Sequence, residues 1–191
     1  MPAIQTIATC VTAGATVALC VVAYRQLRYA SQQLAKIESV SRSELQITNQ
    51  LALNAKFESK EMRSDRKKLA KLLLSKKKTK HEDVPEQVPN FFETVGTQMR
   101  VGYLNPELVW ADFQYWVVRW WNALHPYIMD ERSRLRNNET IFEDFEAMVE
   151  IMYRVDSARR KGNPRIFDLQ AEVQEELRSF LLEETKLDTR K

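Results

Sequence analysis

From Ala3 to Tyr24 the chain reads AIQTIATCVTAGATVALCVVAY, twenty-two residues without an acidic, basic or histidine side chain. A helix rises ~1.5 Å per residue, so ~20 residues cross a ~30 Å hydrocarbon core. A charge-free stretch of this length belongs in lipid, in a protein interior, or in a segment that is removed. A membrane-spanning helix is the favoured reading. Val17 to Tyr24 is richly apolar, and Gln5, Thr6, Thr9, Thr12 and Thr16 dilute the first half. Threonine hydroxyls can bond back to helix carbonyls, which lowers that cost. A cleaved secretory signal is disfavoured, because Met1 to Gln5 has no basic residue and the apolar run is long for such a signal. Thr9 and Leu19 precede the two cysteines, which argues against a lipoprotein signal. A buried soluble helix is the remaining alternative.

The flanks give the span a direction. Arg25, Arg28 and Lys36 follow it, and no Lys or Arg precedes it. Basic residues stay on the cytoplasmic side, which puts the N-terminus outside and the rest of the chain in the cytoplasm. Thr6, Cys10, Gly14 and Ala18 fall at four-residue spacing, a small-residue stripe that would let two membrane helices approach closely. Cys10 and Cys20 are too far apart along one helix to pair with each other, and two cysteines make neither a disulfide framework nor an all-cysteine zinc site.

Charge divides the remainder. Residues 25–80 carry 15 Lys/Arg against 5 Asp/Glu, and residues 81–191 carry 14 against 21. Arg25 to Leu74 contains no proline or glycine, and good helix formers dominate it, so a long basic connector helix is predicted there. Leu34, Ile37, Ser41, Glu44, Thr48 and Leu51 follow a heptad that Ser41, Glu44 and Thr48 spoil, so a helix partly packed on the later domain competes with a short, imperfect coiled coil. Arg66, Lys67, Lys68, Lys71, Lys76, Lys77, Lys78 and Lys80 form the densest basic patch. The simplest reading is a solvated face that neutralises the acidic domain. Lipid contact is disfavoured for an upright helix, because residue 66 would lie about 60 Å past residue 25, far beyond a Debye length of ~8 Å. Nucleic acid is the weakest of the three readings, because the cluster lacks interleaved aromatics.

Residues 81–185 read as an aromatic-rich helical bundle of about four helices, followed by a frayed tail over 186–191. After a turn at Asp83-Val84-Pro85-Glu86, a helix is predicted from about Pro89 to Arg100, with Phe92, Val95 and Met99 as its stripe and Gly102 as its stop. Asn105-Pro106-Glu107 is the clearest start signal: cap, proline at the first position, acid in the first turn. That helix is predicted to reach Leu124, where His125-Pro126 breaks it, with a short continuation to about Arg136. All four tryptophans lie in it, and a helix apolar nearly all round is central to a bundle. Thr140-Ile141-Phe142-Glu143 has the form of a capping box opening the next helix. Ile166 to Glu184 supplies the last amphipathic one. No strand-like alternation is present, and four glycines, about 2% of the chain, fall well below the usual ~7%, so the class is all-α.

The segments Asn90-Phe91-Phe92-Glu93-Thr94-Val95-Gly96, Gly102-Tyr103-Leu104 and His125-Pro126-Tyr127-Ile128 resemble a family of uncharacterised bacterial proteins. The resemblance covers roughly residues 50–155. It implies one N-terminal membrane helix, a small cytoplasmic helical domain and location at the bacterial inner membrane, and it transfers no functional residue.

Chemistry-bearing constellations are absent from the sequence. His81 and His125 stand in unlike contexts, and the common phosphate-loop, zinc-protease and serine-hydrolase motifs are missing. Glu146 and Glu150 are spaced one turn apart, which by itself reads as a solvated face. Glu93 reads as a buried acid paired with Arg100 or Arg119 in a structural salt bridge, with a general base as the weaker alternative. No cofactor is called for. The expectation is a membrane-anchored helical interaction module whose partners are the bilayer and a protein, with a second copy of itself as one candidate; the alternatives are a membrane-acting effector assembling through the Thr6/Cys10/Gly14/Ala18 stripe, and an enzyme on a helical scaffold.

Overall fold

A computed structural model of the chain describes residues 2–75, 84–136, 138–160 and 173–188, with side chains from Val22 onward except that of Val173. Among these residues there are six helices and no strand: α1 (Pro2–Phe57), α2 (Lys60–Leu74), α3 (Gln87–Arg100), α4 (Pro106–Arg134), α5 (Glu143–Arg159) and α6 (Val173–Glu184). The chain divides into two units, Met1–Glu44 and Leu45–Lys191.

The first unit is the leading part of α1. Its serines close on the helix itself: Ser31, Ser39 and Ser43 donate to the carbonyls of Arg28, Lys36 and Ser39. Among the residues whose side chains are described, no helix is long and apolar enough to cross a membrane. The expected span over residues 3–24 falls outside them, apart from its last three residues, and so does the Thr6/Cys10/Gly14/Ala18 stripe.

The second unit is built around one apolar core. Its aromatic centre is Phe57, the last residue of α1, whose ring lies 5.3 to 6.0 Å from those of Phe91, Phe92, Phe113 and Trp116. Such edge and tilted geometries add to the stabilisation that burial alone provides. Phe145 of α5 stacks on Phe92 at 5.0 Å and meets Trp121 edge-on at 5.1 Å. Leu53, Phe57, Met62, Leu69 and Ala70 belong to this same core. The second half of the expected connector is therefore structural, not a spacer.

The structure breaks that connector where no proline or glycine marks it. Ser59 leaves helical geometry (φ −63°, ψ 154°), and its hydroxyl accepts from the Met62 N–H at 3.2 Å. Glu61 sits in the first turn of α2, where an acid favours the positive helix end. The kink puts both Phe57 and Met62 into the core, and burial outweighs uninterrupted helix propensity.

Helix α3 starts at Gln87, two residues before the predicted start. Pro89 is then its third residue, within the first turn, where a backbone N–H has no helical acceptor in any case. The end agrees with the sequence: Gly102 takes φ 80°, a left-handed turn that suits glycine.

Helix α4 begins as predicted, with Asn105 accepting from the Glu107 N–H at 2.9 Å. It does not stop at His125-Pro126 but continues to Arg134. Proline there leaves the Asn122 carbonyl without its helical donor, a loss of about 3 kcal/mol in an isolated helix. Beyond the proline, Ile128 is fully buried and Arg132 reaches across to Glu146 at 2.9 Å and to the Ile141 carbonyl at 2.9 Å. Those contacts require the helix to run on.

The capping box at α5 does not form. Thr140 turns its hydroxyl to Asn138 at 2.7 Å, and Phe142, in the left-handed region (φ 56°), occupies the cap position without a side-chain hydrogen bond. Residues 161–172, which include most of the predicted start of the last helix, lie outside the described residues.

Candidate functional site

The first turn of α5 is capped from another helix. Glu93 on α3 accepts from the backbone N–H of Phe145 at 2.7 Å and from that of Asp144 at 3.4 Å. One turn on, Gly96 lies so close to α5 that a Cβ there would run into the Asp144 carbonyl oxygen. Thr97 donates to the Asp144 carboxylate at 2.6 Å, and Arg100 binds the same carboxylate at 2.7 Å. Glu93, Gly96, Thr97 and Arg100 recur at three- and four-residue spacing, so they share one face of α3. Together they receive the N-terminus of α5.

Burial pushes the Glu93 carboxyl up, against the lowering effect of its two backbone donors, and the neighbouring Asp144 and Glu143 charges add to the rise. Asp144 moves the other way. Burial alone would raise it, but the Thr97 hydroxyl and the Arg100 guanidinium outweigh that and hold it below the ordinary carboxylate range. The expected partner of Glu93 is thus corrected: Arg100 pairs with Asp144, Arg119 pairs with Glu176, and Glu93 serves backbone N–H groups.

Amides hold the end of α1. Gln46 and Asn49 donate to the carbonyls of Gly102 and Tyr103 at 3.2 and 3.3 Å, and Gln50 and Asn54 share the Asp112 carboxylate at 2.8 Å each. The Gly102-Tyr103-Leu104 segment therefore offers its backbone carbonyls as a landing for α1. In the same helix stretch, Leu45, Ile47 and Leu51 are exposed.

Four residues of the basic patch, Arg66, Lys67, Lys68 and Lys71, are among the described residues, and their surroundings differ. Arg66 is 2% exposed and forms a two-pronged pair with Glu184 of α6, at 2.7 and 2.9 Å. Its guanidinium also lies 4.1 Å from the centre of the Phe57 ring. Arg66 is a core ion-pair residue and not part of an exposed basic face. Lys67 donates to the Leu187 carbonyl at 3.0 Å, which also ties down the start of the expected frayed tail. Lys68 pairs with Asp65 at 3.1 Å, and Lys71 is exposed. Lys76, Lys77, Lys78 and Lys80 lie outside the described residues. Arg25, Arg28 and Lys36 are exposed on α1.

Of the remaining polar groups, Glu146 is committed to Arg132, and Arg159 binds Glu107 while covering the Trp110 ring at 4.3 Å. His125 is exposed, edge-on to Trp121 at 5.5 Å. Among the described residues no three His, Cys, Asp or Glu side chains are grouped to hold a metal ion. The sequence could not reveal the Glu93 arrangement, because the N–H groups that donate to it are main-chain groups about fifty positions away.

These features define an all-α bundle in which the most constrained polar residues join helix to helix. The chain belongs to the family described as Domain of unknown function (DUF4760), whose model matches residues 8–152. The match starts inside the uncharged stretch, runs through α1 to α4 and ends within α5. No curated protein and no solved structure matches the chain.

Proposed function

We propose that this protein is a single-pass, membrane-anchored helical interaction module. Residues 3–24 cross the bacterial inner membrane with the N-terminus outside, and the second unit works in the cytoplasm, where it presents a rigid helical surface to a protein partner. The observation that carries this reading is the charge-free run from Ala3 to Tyr24, closed on one side by Arg25 and Arg28. Two further observations support it. Arg25, Arg28 and Lys36 are exposed, and so are free to meet lipid headgroups and water. In the second unit, Glu93 holds backbone N–H groups, Asp144 pairs with Arg100 and Arg66 pairs with Glu184, which suits a scaffold better than a reaction centre.

The test is fractionation of cells making the full chain. The protein should pellet with membranes, resist alkaline carbonate and high salt, and dissolve only with detergent. Protease added to spheroplasts should spare the second unit, and protease added to inverted vesicles should digest it. A variant lacking residues 2–24 should appear in the aqueous fraction. Release of the full chain by carbonate would overturn the proposal.

A further inference from the structure

Among the described side chains of the first unit, α1 carries an exposed apolar seam. Ala23, Leu27, Ala30, Leu34 and Ile37 alternate at four- and three-residue spacing, the a/d register of a left-handed coiled coil. All five are exposed, with Leu27 at 71%, Leu34 at 67% and Ile37 at 63%. Every residue from Val22 to Leu45 is exposed, so what marks this face is the periodic spacing of Leu27, Leu34 and Ile37 and not exposure by itself.

Charge placement identifies the occupant. Arg25, Arg28, Lys36 and Arg42 all fall on outer positions of the heptad, away from the seam. The positions beside the seam are Tyr24, Gln26, Ser31, Gln33, Glu38 and Val40. In a parallel, in-register pair, Gln26 faces Ser31 and Gln33 faces Glu38 of the other copy, so an amide donor meets an acceptor on both sides and no like charges are opposed. Leu against Leu alternates with Ala against Ala along the seam.

We propose that Leu27–Ile37 of α1, just beyond the proposed span, forms a parallel two-stranded coiled coil with a second copy of this chain. The parallel sense rests on the membrane reading above, since two chains anchored in one bilayer carry α1 in the same direction. Confinement in that plane also raises their effective concentration, so a seam of about one and a half heptads is long enough to hold.

The test uses the full chain in native membranes, with Cys10 and Cys20 replaced by serine and one cysteine introduced at a time. Under mild oxidation Leu27→Cys, Leu34→Cys and Ile37→Cys should each give disulfide-linked dimers, several-fold more than Arg28→Cys, Gln32→Cys and Lys36→Cys. Equal yields at all six positions, or no dimers at any, would overturn the proposal. So would cross-linking confined to one position, which marks an antiparallel pair. Leu34→Glu should abolish dimers of the Leu27→Cys chain while tryptophan fluorescence of the second unit stays unchanged. Seam-specific dimers in a carbonate-released protein would reject the anchor and keep the coiled coil. An anchored protein without them would reject the coiled coil and keep the anchor.

Discussion

Gly96→Ala is the sharpest probe of how α3 holds α5. On an exposed helix this change stabilises by about 1 kcal/mol, because alanine loses less backbone entropy than glycine. Here the new methyl meets the Asp144 carbonyl oxygen, a backbone atom that cannot swing aside. Restoring ordinary van der Waals separation moves the two helices apart by about an ångström. Overpacking of that kind costs about 1–3 kcal/mol. The same displacement stretches the Glu93–Phe145 hydrogen bond from 2.7 Å and the Arg100–Asp144 pair from 2.7 Å. Weakening one charge-assisted hydrogen bond adds about 1.5–3 kcal/mol. Set against the propensity gain, the net loss is about 3 kcal/mol. Urea denaturation followed by tryptophan emission reads it directly, since Trp121 packs on Phe145 at the same interface. The matched control is Thr94→Ala, on the exposed side of α3, which should change stability by no more than about 0.5 kcal/mol. If Gly96→Ala were as stable as the parent, or more stable, α3 and α5 would not approach as described.

Three other expectations follow from particular contacts. Arg66→Met strands a buried carboxylate at Glu184 and should cost about 3–5 kcal/mol, while adding Glu184→Leu should recover much of it, both measured by chemical denaturation. Ser59→Ala removes the cap of α2 and should cost about 1 kcal/mol; no loss would mean that packing alone sets the break. The pH dependence has two opposed parts. The Asp144 carboxyl, held below its ordinary 3.8, contributes stability that is present above that value and lost as pH falls through its lowered pKa, so the deficit of Asp144→Asn should shrink in acid. The Glu93 carboxyl, raised above 4.5, favours folding most below that value and loses its contribution as pH rises through the raised pKa, so Glu93→Gln should gain relative to the parent across that interval. Denaturation midpoints measured across acid and neutral pH separate the two; parallel curves for parent and variants would contradict both.

The sequence by itself determined what depends on neighbouring residues. The helical class, the start of α4 at Asn105-Pro106, the glycine that ends α3 and the Phe92/Val95/Met99 stripe are local matters of capping, backbone freedom and a 3.6-residue period. The tertiary structure decided the rest. Whether a helix breaks at Ser59 or runs through Pro126 depended on what lay beyond each point to be buried, and the local penalty lost in both cases. Thr140-Ile141-Phe142-Glu143 had the pattern of a cap, yet α5 took its cap from Glu93, because α3 passes close enough only where Gly96 has no side chain. Arg66 looked like one more cation in a basic run, and only folding brought it against Glu184, 118 positions away. Periodicity reports which face of a helix is apolar. It cannot report which distant group will meet that face, because the meeting is set by how all the helices fill one core together.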